Sequence, residues 1–331
     1  MSSLVIVTGA TGFLAQYVIK KFIDEGYKVI GTVRSQEKGL DLVEKFSNSN
    51  FSVEVIEDLA NFDQVYKVVS KYSNNLKYFI HTAAAMNIFS KESEKDLLKP
   101  NINATTNILK VLNGNAPNLE KFVYTSSISA FNTNVMGFDP VNEESWSSVT
   151  YEQGKLNGFF GYSASKKFSE REIFQFVQDR SPSFKVATIG ASMILGAPLF
   201  KGDDINGAAK LLLKSLKAES EDKVEPLNYL TIAVEDVAKA HYVAATNPEI
   251  SNQRLLISSN RLTQQDVLDV GNEFNELKGK IPKGVPKTEP AESETNVDNK
   301  KSIQLLGFKP ELTTTNLRKI IKYAIDEHKY L

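Results

Sequence analysis

The chain has 331 residues, with 39 Lys and Arg against 40 Asp and Glu, a formal net charge of −1 with histidine neutral. That balance excludes the basic surplus of a dedicated nucleic-acid binder and the charged tail of a solvating or membrane-anchoring segment. Hydrophobic residues at 41% and charged residues at 24% exclude bulk disorder and fit one large α/β domain or two smaller ones.

The sequence contains no cysteine, which removes disulfides, thiol nucleophiles and Cys-based metal sites. Its three histidines, His81, His241 and His328, are far apart in sequence, so no metal is expected. The start lacks a signal-peptide pattern and no run of about 18 apolar residues occurs, so a soluble cytoplasmic protein is expected.

In chain order, Leu4–Thr8 is an apolar run ended by Gly9 and reads as a buried parallel strand. Phe13–Glu25 has helical spacing, and Gly26 stands where a helix C-cap belongs. Strands follow at Tyr27–Val33, Phe51–Ile56, Lys77–Thr82, Glu120–Ser126 and Phe184–Ile189. Helices are expected at Gln36–Phe46, Phe62–Lys71, Glu94–Leu112 (with Pro100 kinking or starting it) and Tyr162–Arg180. This alternation predicts an α/β fold, a doubly wound parallel sheet. In the less regular second half, Leu227–Ile232 and Arg254–Ser258 read as isolated short strands. Asp203–Leu216, Val234–Thr246, Gln264–Phe274 and Leu317–Glu327 read as helices, and 278–297, with three prolines, as a surface loop.

Gly9-Ala10-Thr11-Gly12-Phe13-Leu14-Ala15 joins the first strand to the first helix. Gly9 suits a tight turn, Gly12 lets the backbone approach a pyrophosphate, and Ala15 keeps helix and sheet close, with the helix N-terminus facing the anion. The second strand ends in Gly31-Thr32-Val33-Arg34, followed by Lys38, with no carboxylate to hold a ribose 2′-hydroxyl. Arg34 and Lys38 instead suit a 2′-phosphate, so NADPH/NADP+ is expected. Asp58 and Leu59 would sit near the adenine; His81-Thr82-Ala83-Ala84 would lie beside the cofactor at the carboxyl edge of the sheet.

Y-x-x-x-K occurs three times, as Tyr17/Lys21, Tyr151/Lys155 and Tyr162/Lys166. Tyr17 reads as a packing residue. Gly154 and Gly158 disfavour a helix around Tyr151, and without one its lysine is not brought alongside. Tyr162-Ser163-Ala164-Ser165-Lys166 opens a long helix, so both side chains share a face, and Lys166 is expected to lower the Tyr162 phenol pKa. Ser127, with Ser126 as the alternative, could hydrogen-bond a substrate oxygen.

GATGFLA after a strand, TSS ending a strand and YSASK opening a helix together resemble the extended short-chain dehydrogenase/reductase superfamily. VIGTVRSQEK (29–38), Asp58-Leu59, HTAA (81–84), NEESW (142–146), SKKFSE (165–170), EDVAKAH (235–241), QDVLDV (265–270) and DNKKSIQLLGFK (298–309) are similar to the yeast NADPH-dependent methylglyoxal and aldehyde reductases, relatives of plant dihydroflavonol and cinnamoyl-CoA reductases. The resemblance runs nearly end to end. It implies a Rossmann NADP-binding domain over 1–190 and parts of 227–260, with a smaller substrate-binding lobe over about 191–226 and 261–331. It implies a triad of Ser127, Tyr162 and Lys166, and cofactor contacts at Gly9, Ala10, Thr11, Gly12, Phe13, Leu14, Arg34, Lys38, Asp58, Leu59, Thr82, Ala83, Tyr162, Lys166 and Ile194. The reaction implied is reduction of a small carbonyl substrate by NADPH, with Tyr162 as proton donor.

Departures from that pattern are local. Gly190 and Ala191 stand where relatives carry Asn-Pro, Met193 where an aromatic is common, and Met86 where an aromatic follows the HTA segment. Met86, Ile128, Phe131 and Met193 are candidates for the pocket wall, against a plain core role. A sugar-nucleotide epimerase or dehydratase shares the triad, but Arg34 counts against the acidic residue such enzymes place after the second strand. A non-catalytic NADP-sensing protein of the same fold has no need of the phenol. The oligomeric state stays open between monomer and homodimer.

Overall fold

The computed structural model describes residues 3–132, 140–218, 228–284 and 296–328. The first half alternates strand and helix: β1 (Leu4–Val7), α1 (Phe13–Asp24), β2 (Lys28–Val33), α2 (Gln36–Phe46), β3 (Phe51–Val55), α3 (Phe62–Tyr72), β4 (Leu76–His81), α4 (Lys99–Asn115) and β5 (Lys121–Thr125). A two-residue strand β6 (Val141–Asn142), a one-turn α5 (Tyr151–Gly154), the long α6 (Gly158–Arg180), β7 (Lys185–Ala191) and β8 (Met193–Leu195) follow. Then come α7 (Gly207–Leu213), β9 (Asn228–Ala233), α8 (Val234–Thr246), β10 (Gln253–Ile257), β11 (Asn260–Thr263), α9 (Gln264–Asn272), β12 (Val297–Asp298), α10 (Lys300–Leu306) and α11 (Thr314–Asp326).

Seven strands form one parallel sheet in the order β10-β7-β5-β4-β1-β2-β3. The strand order reverses at β1, which pairs with β2 on one side and β4 on the other, so the carboxyl ends of β1 and β4 flank the crevice where such sheets bind ligands. β1 is buried throughout, with Val5 and Val7 in one core and Leu4 and Ile6 in the other. That double burial is why it reads as a continuous apolar run. Phe22, Leu42 and Ala244 place α1, α2 and α8 on one face, while Val68, Ile108 and Ile173 place α3, α4 and α6 on the opposite face. A third core gathers Leu195, Ile205, Leu212, Leu262, Leu268, Leu317 and Ile321 from the second half.

The central alternation matches the reading of the sequence to within a residue or two at most strand ends. The differences lie elsewhere. β9 and β10 are not isolated strands: β10 extends the main sheet by pairing with β7, and β9 sits between β8 and β11 in a three-stranded sheet. Their partners are distant in sequence, which local patterning does not reveal. Leu227 lies outside the described residues, as does most of the 278–297 loop, whose segment 285–295 includes Pro286 and Pro290. The expected Asp203–Leu216 helix starts only at Gly207, capped by the Asn206 side chain. Upstream of Pro100, Glu94–Leu98 forms a π turn that runs directly into α4, with the proline in the first turn of α4.

Helix α6 begins at Gly158, four residues before the expected start, and α5 exists despite Gly154. The Asn157 side chain caps α6, and Thr150 and Gln153 form a capping box on α5. The glycine at 158 serves close packing: a Cβ there would lie 2.4 Å from the Ile88 backbone.

Candidate active site

The turn after β1 is shaped by steric necessity. Gly9 has φ +67, and a Cβ on it would come within 2.9 Å of Ala83 Cβ. Ala10 N–H donates to Thr32 O (2.9 Å) and Gly12 N–H to Gly9 O (2.8 Å), which pins the loop over β2. Beneath it, a Cβ on Gly31 would lie 2.6 Å from Ala10 Cβ. Gly12 is the N-cap of α1 and brings no side chain, so the first-turn N–H groups and the positive end of the helix dipole face outward. Thr11 and Gly12 are exposed, Phe13 and Leu14 half-buried. Beside this cradle, the Thr8 hydroxyl accepts from Ala83 N–H (3.1 Å) and is hydrogen-bonded to His81 Nδ1 (2.8 Å); the Thr82 hydroxyl donates to Thr8 O. Gly9, Thr82 and Ala83 are thus brought to one place.

Arg34 and Lys38 are exposed at the end of β2 and start of α2, without an ion-pair or hydrogen-bond partner among the described residues. Asp58 accepts from Ala60 N–H (2.8 Å), forming a turn after β3 with half-buried Leu59 beside it. A glycine cradle under outward-facing N–H groups, followed by two unpaired cations at the next strand end, fits the pyrophosphate and 2′-phosphate of NADPH.

Tyr162 and Lys166 lie one turn apart on α6, with Lys166 Nζ 5.9 Å from the Tyr162 ring centroid and 5.0 Å from that of Tyr124. Lys166 is buried and donates to Thr125 O (2.8 Å), two residues before Ser127. Ser127 caps the 3-10 turn Ile128–Ala130 and accepts from the Ser129 hydroxyl (2.8 Å). Burial drives the Lys166 ammonium down to about 8, with the Glu170 carboxylate working against it. The expected lowering of the Tyr162 pKa is reversed here. Burial pushes the phenol above its ordinary value, and the Ser127 hydroxyl beside it pulls the other way.

The remaining candidates scatter. Ile194 pairs with Ile232 across β8 and β9 and packs against the first core. Met193, half-buried, packs against the third core, and Met86 is 71% exposed in the loop after β4. Ile128 and Phe131 are buried in a small cluster with Val141, Leu230 and Leu256. The Phe131 ring lies over Gly190, where a Cβ would come within 2.1 Å of it. A cavity of 310 Å³ opens beside Phe131 and Trp146, and its lining includes none of Ser127, Tyr162 and Lys166. The Gly190–Pro198 stretch continues β7, passes through β8 and is tied to α1 by Tyr17, whose hydroxyl donates to Ala197 O (2.8 Å).

The 3-beta hydroxysteroid dehydrogenase/isomerase family model matches residues 6–261. This chain belongs to that family. Within it, the chain is 37% identical to the NADPH-dependent methylglyoxal reductase of Saccharomyces cerevisiae over 92% of its own length and 93% of the relative. The structure of yeast methylglyoxal/isovaleraldehyde reductase Gre2 complexed with NADPH superposes with a TM-score of 0.91 at 34% identity, covering 99% of this chain and 100% of that one. A UDP-glucose 4-epimerase from Thermotoga maritima, at 18% identity and TM-score 0.72 over 98% and 100% of the two chains, shares the fold alone.

Two residues of this family member, His241 and Asn101, escaped the reading of its sequence, whereas His81 stands at the end of β4, where that reading put it. His241 is buried; its Nδ1 faces Val237 O (2.8 Å), which only accepts, so Nε2 accepts from the Thr125 hydroxyl (2.7 Å). Burial holds His241 at about 4 and His81 at about 3, so both imidazoles are neutral near pH 7. Asn101 on α4 accepts from Ala85 N–H (2.7 Å) and donates to Ala85 O (3.0 Å) and Ser165 Oγ (3.1 Å), fastening the loop after β4 to α6. A polar residue on a largely apolar helix face was the available signal. Among the described residues, no helix is long and apolar enough to cross a membrane, and no group of acidic and histidine side chains could hold a metal.

Proposed function

We propose that this protein is an NADPH-dependent carbonyl reductase, acting on aldehydes and ketones that include 2-oxoaldehydes, in the cytoplasm. The observation that carries the reading is the convergence of Ser127, Tyr162 and Lys166 at the carboxyl end of β5, in the same sheet whose β1 end carries the glycine cradle. Kinship with the methylglyoxal reductase of Saccharomyces cerevisiae over nearly the whole chain supports it.

The backbone from Gly9 to Leu14 would hold the pyrophosphate, Arg34 and Lys38 the 2′-phosphate, and Asp58 and Leu59 the adenine end. Thr82, Ala83 and Ile194 would line the nicotinamide side, with Lys166 on the ribose. When bound, NADPH supplies a hydride to the carbonyl carbon. The Tyr162 hydroxyl gives its proton to the carbonyl oxygen, and the Ser127 hydroxyl donates a hydrogen bond that steadies that oxygen. Lys166, held by Thr125 O, places a positive charge beside the phenol as it becomes phenolate. The third core, with Met193 at its edge, is taken as the substrate-binding lobe, and Met86 as part of the pocket mouth. Arg34, where an acidic residue would be needed, disfavours an NAD-linked epimerase.

The test is NADPH consumption by purified protein with methylglyoxal, a branched aldehyde and a panel of ketones. Turnover is expected to be much faster with NADPH than with NADH. If neither cofactor is oxidised with any of these carbonyls, the reading is wrong.

A further inference from the structure

Behind the triad lies a buried ion pair for which the reaction scheme above has no use. Glu170 stands one turn beyond Lys166 on α6 and is fully buried; its Oε2 accepts from Arg254 Nε of β10 at 2.6 Å. The arginine reaches further. Its Nη1 donates to Glu143 O (2.9 Å) and Ser145 O (2.7 Å), both in the segment after β6. Its guanidinium lies between two rings, 3.8 Å from the Phe131 centroid and 3.6 Å from that of Trp146. Phe131 closes the turn that Ser127 opens, donating its N–H to Ile128 O (2.9 Å). One side chain therefore joins α6, the 143–146 segment and the Ser127 turn.

Stability alone is a weak reason for such a pair. Removing two charges from water costs several kcal/mol per ion, and an apolar pair of similar volume is often as stable. The site is also incompletely satisfied: Arg254 Nη2 is buried without a hydrogen-bond partner among the described residues, and the Ser126 hydroxyl is the one further group beside the Glu170 carboxylate there. Lysine could not replace the arginine, because a planar fork is needed to bond two carbonyls and a carboxylate while stacked between rings.

We propose that Glu170 and Arg254 act as a positioning pair, holding the Ser127 turn against the helix of Tyr162 and Lys166 and giving the Lys166 ammonium its counter-charge. This rests on the reductase reading of the triad. Among the described residues, the groups around Lys166 leave Glu170 as the one anion. Tyr162 faces it from α6 and Tyr124 from β5, both phenols raised by burial, while His81 of β4 and His241 of α8 are neutral imidazoles held at about 3 and 4. Arg254 acts on Lys166 only by way of Glu170, whose own pKa burial raises and Arg254 lowers.

The experiment compares wild type with E170Q, R254K and the double variant E170Q/R254M. Turnover, NADPH affinity and unfolding midpoint are measured across pH, along with emission from Trp146, the chain's single tryptophan. In E170Q, kcat is expected to fall about tenfold to hundredfold from misplacement of the reacting groups, with KM changing less than about threefold. Loss of the carboxylate disfavours the ammonium, so the high-pH limb of kcat/KM and of NADPH affinity moves down by about half a unit to one unit. R254K keeps the charge but not the fork: the limb stays, kcat falls, and Trp146 emission shifts in the cofactor-free protein. The double variant removes both buried charges, so it regains stability yet stays slow with a displaced limb. A double variant that recovers kcat together with its midpoint, or an E170Q limb that coincides with wild type in turnover and in NADPH affinity, overturns the proposal. A wild type that binds NADPH but reduces no carbonyl overturns the reductase reading instead, and the affinity limb then still decides the pair.

Discussion

Tyr151/Lys155 and Tyr162/Lys166 share a spacing and nearly a geometry, with the lysine nitrogen 5.3 Å and 5.9 Å from the respective ring centroid. Contrary to expectation, both stand on helical backbone, one running from α5 to its C-cap and the other on α6. Their surroundings differ in every respect that matters for proton transfer. Lys155 pairs with Glu152 at 2.7 Å, and that hydrogen bond raises its pKa; Tyr151 donates to Glu94 (3.3 Å). Lys166 is buried, donates to a backbone carbonyl and is held at about 8. Spacing brings an amine to a phenol, but burial and a fixed neutral partner make the amine responsive near working pH.

The widest separation is expected between Tyr162→Phe and Tyr151→Phe. Removing the Tyr162 hydroxyl should cut kcat by about 10³-fold, within the usual range for a positioned acid, with NADPH affinity within about twofold. Tyr151→Phe should leave kcat within about twofold. Steady-state turnover and a fluorescence titration check both, and the two tyrosines would exchange roles if Tyr151→Phe were the inactive one.

Next in size is Arg34→Glu, which sets the unpaired cation at the cofactor end against the buried one at the chemical end. Losing a charge-assisted contact to the 2′-phosphate is worth about 1.5–3 kcal/mol, so the NADPH:NADH ratio of kcat/KM should fall about 10- to 100-fold. An unchanged ratio in paired kinetics would remove Arg34 from the site.

Lys166→Met should separate function from stability. The folded-state pKa of Lys166, about 8, lies below the ordinary 10.5. The unfolded chain therefore binds more protons between those values, and this group's contribution to stability rises with pH there. Its burial cost is fully present below about pH 8 and is relieved toward pH 10.5. At pH 7 the methionine variant should be inactive yet more stable by about 1–3 kcal/mol, with the gain fading near pH 10. Urea unfolding at both pH values measures this; a loss of stability at pH 7 would mean that the Thr125 bond and Glu170 outweigh desolvation.

The parallel sheet and the glycine loop were legible because each rests on local chemistry: apolar runs buried on both faces, two glycines between strand and helix, helical periodicity after them. Ser127, Tyr162 and Lys166 were legible as a spacing with a position in the chain. What surrounds them was not, because it comes from contacts far apart in sequence. Glu170 meets Arg254 from 84 residues away, and His241 meets Thr125 from 116. Gly190 shows both sides. Its departure from the Asn-Pro pattern is plain in the sequence, but its reason, the Phe131 ring lying on it, is visible only in three dimensions. The same packing buries Phe131 between a glycine and a guanidinium.

Least affected should be Lys155→Met. Its pair with Glu152 is exposed, with side chains 35% and 78% accessible, so solvent and salt screen the attraction and ordering two long side chains offsets the rest. Much of the contact with the Tyr151 ring is kept by methionine as plain contact. An unfolding midpoint and a kcat both indistinguishable from wild type are expected. Thr150→Ala, at the N-cap end of the capping box, should cost more, about 1 kcal/mol, because it leaves the Gln153 N–H of α5 without its acceptor. Greater sensitivity at Lys155 than at Thr150 would mean that α5 is held by its charges rather than by its cap.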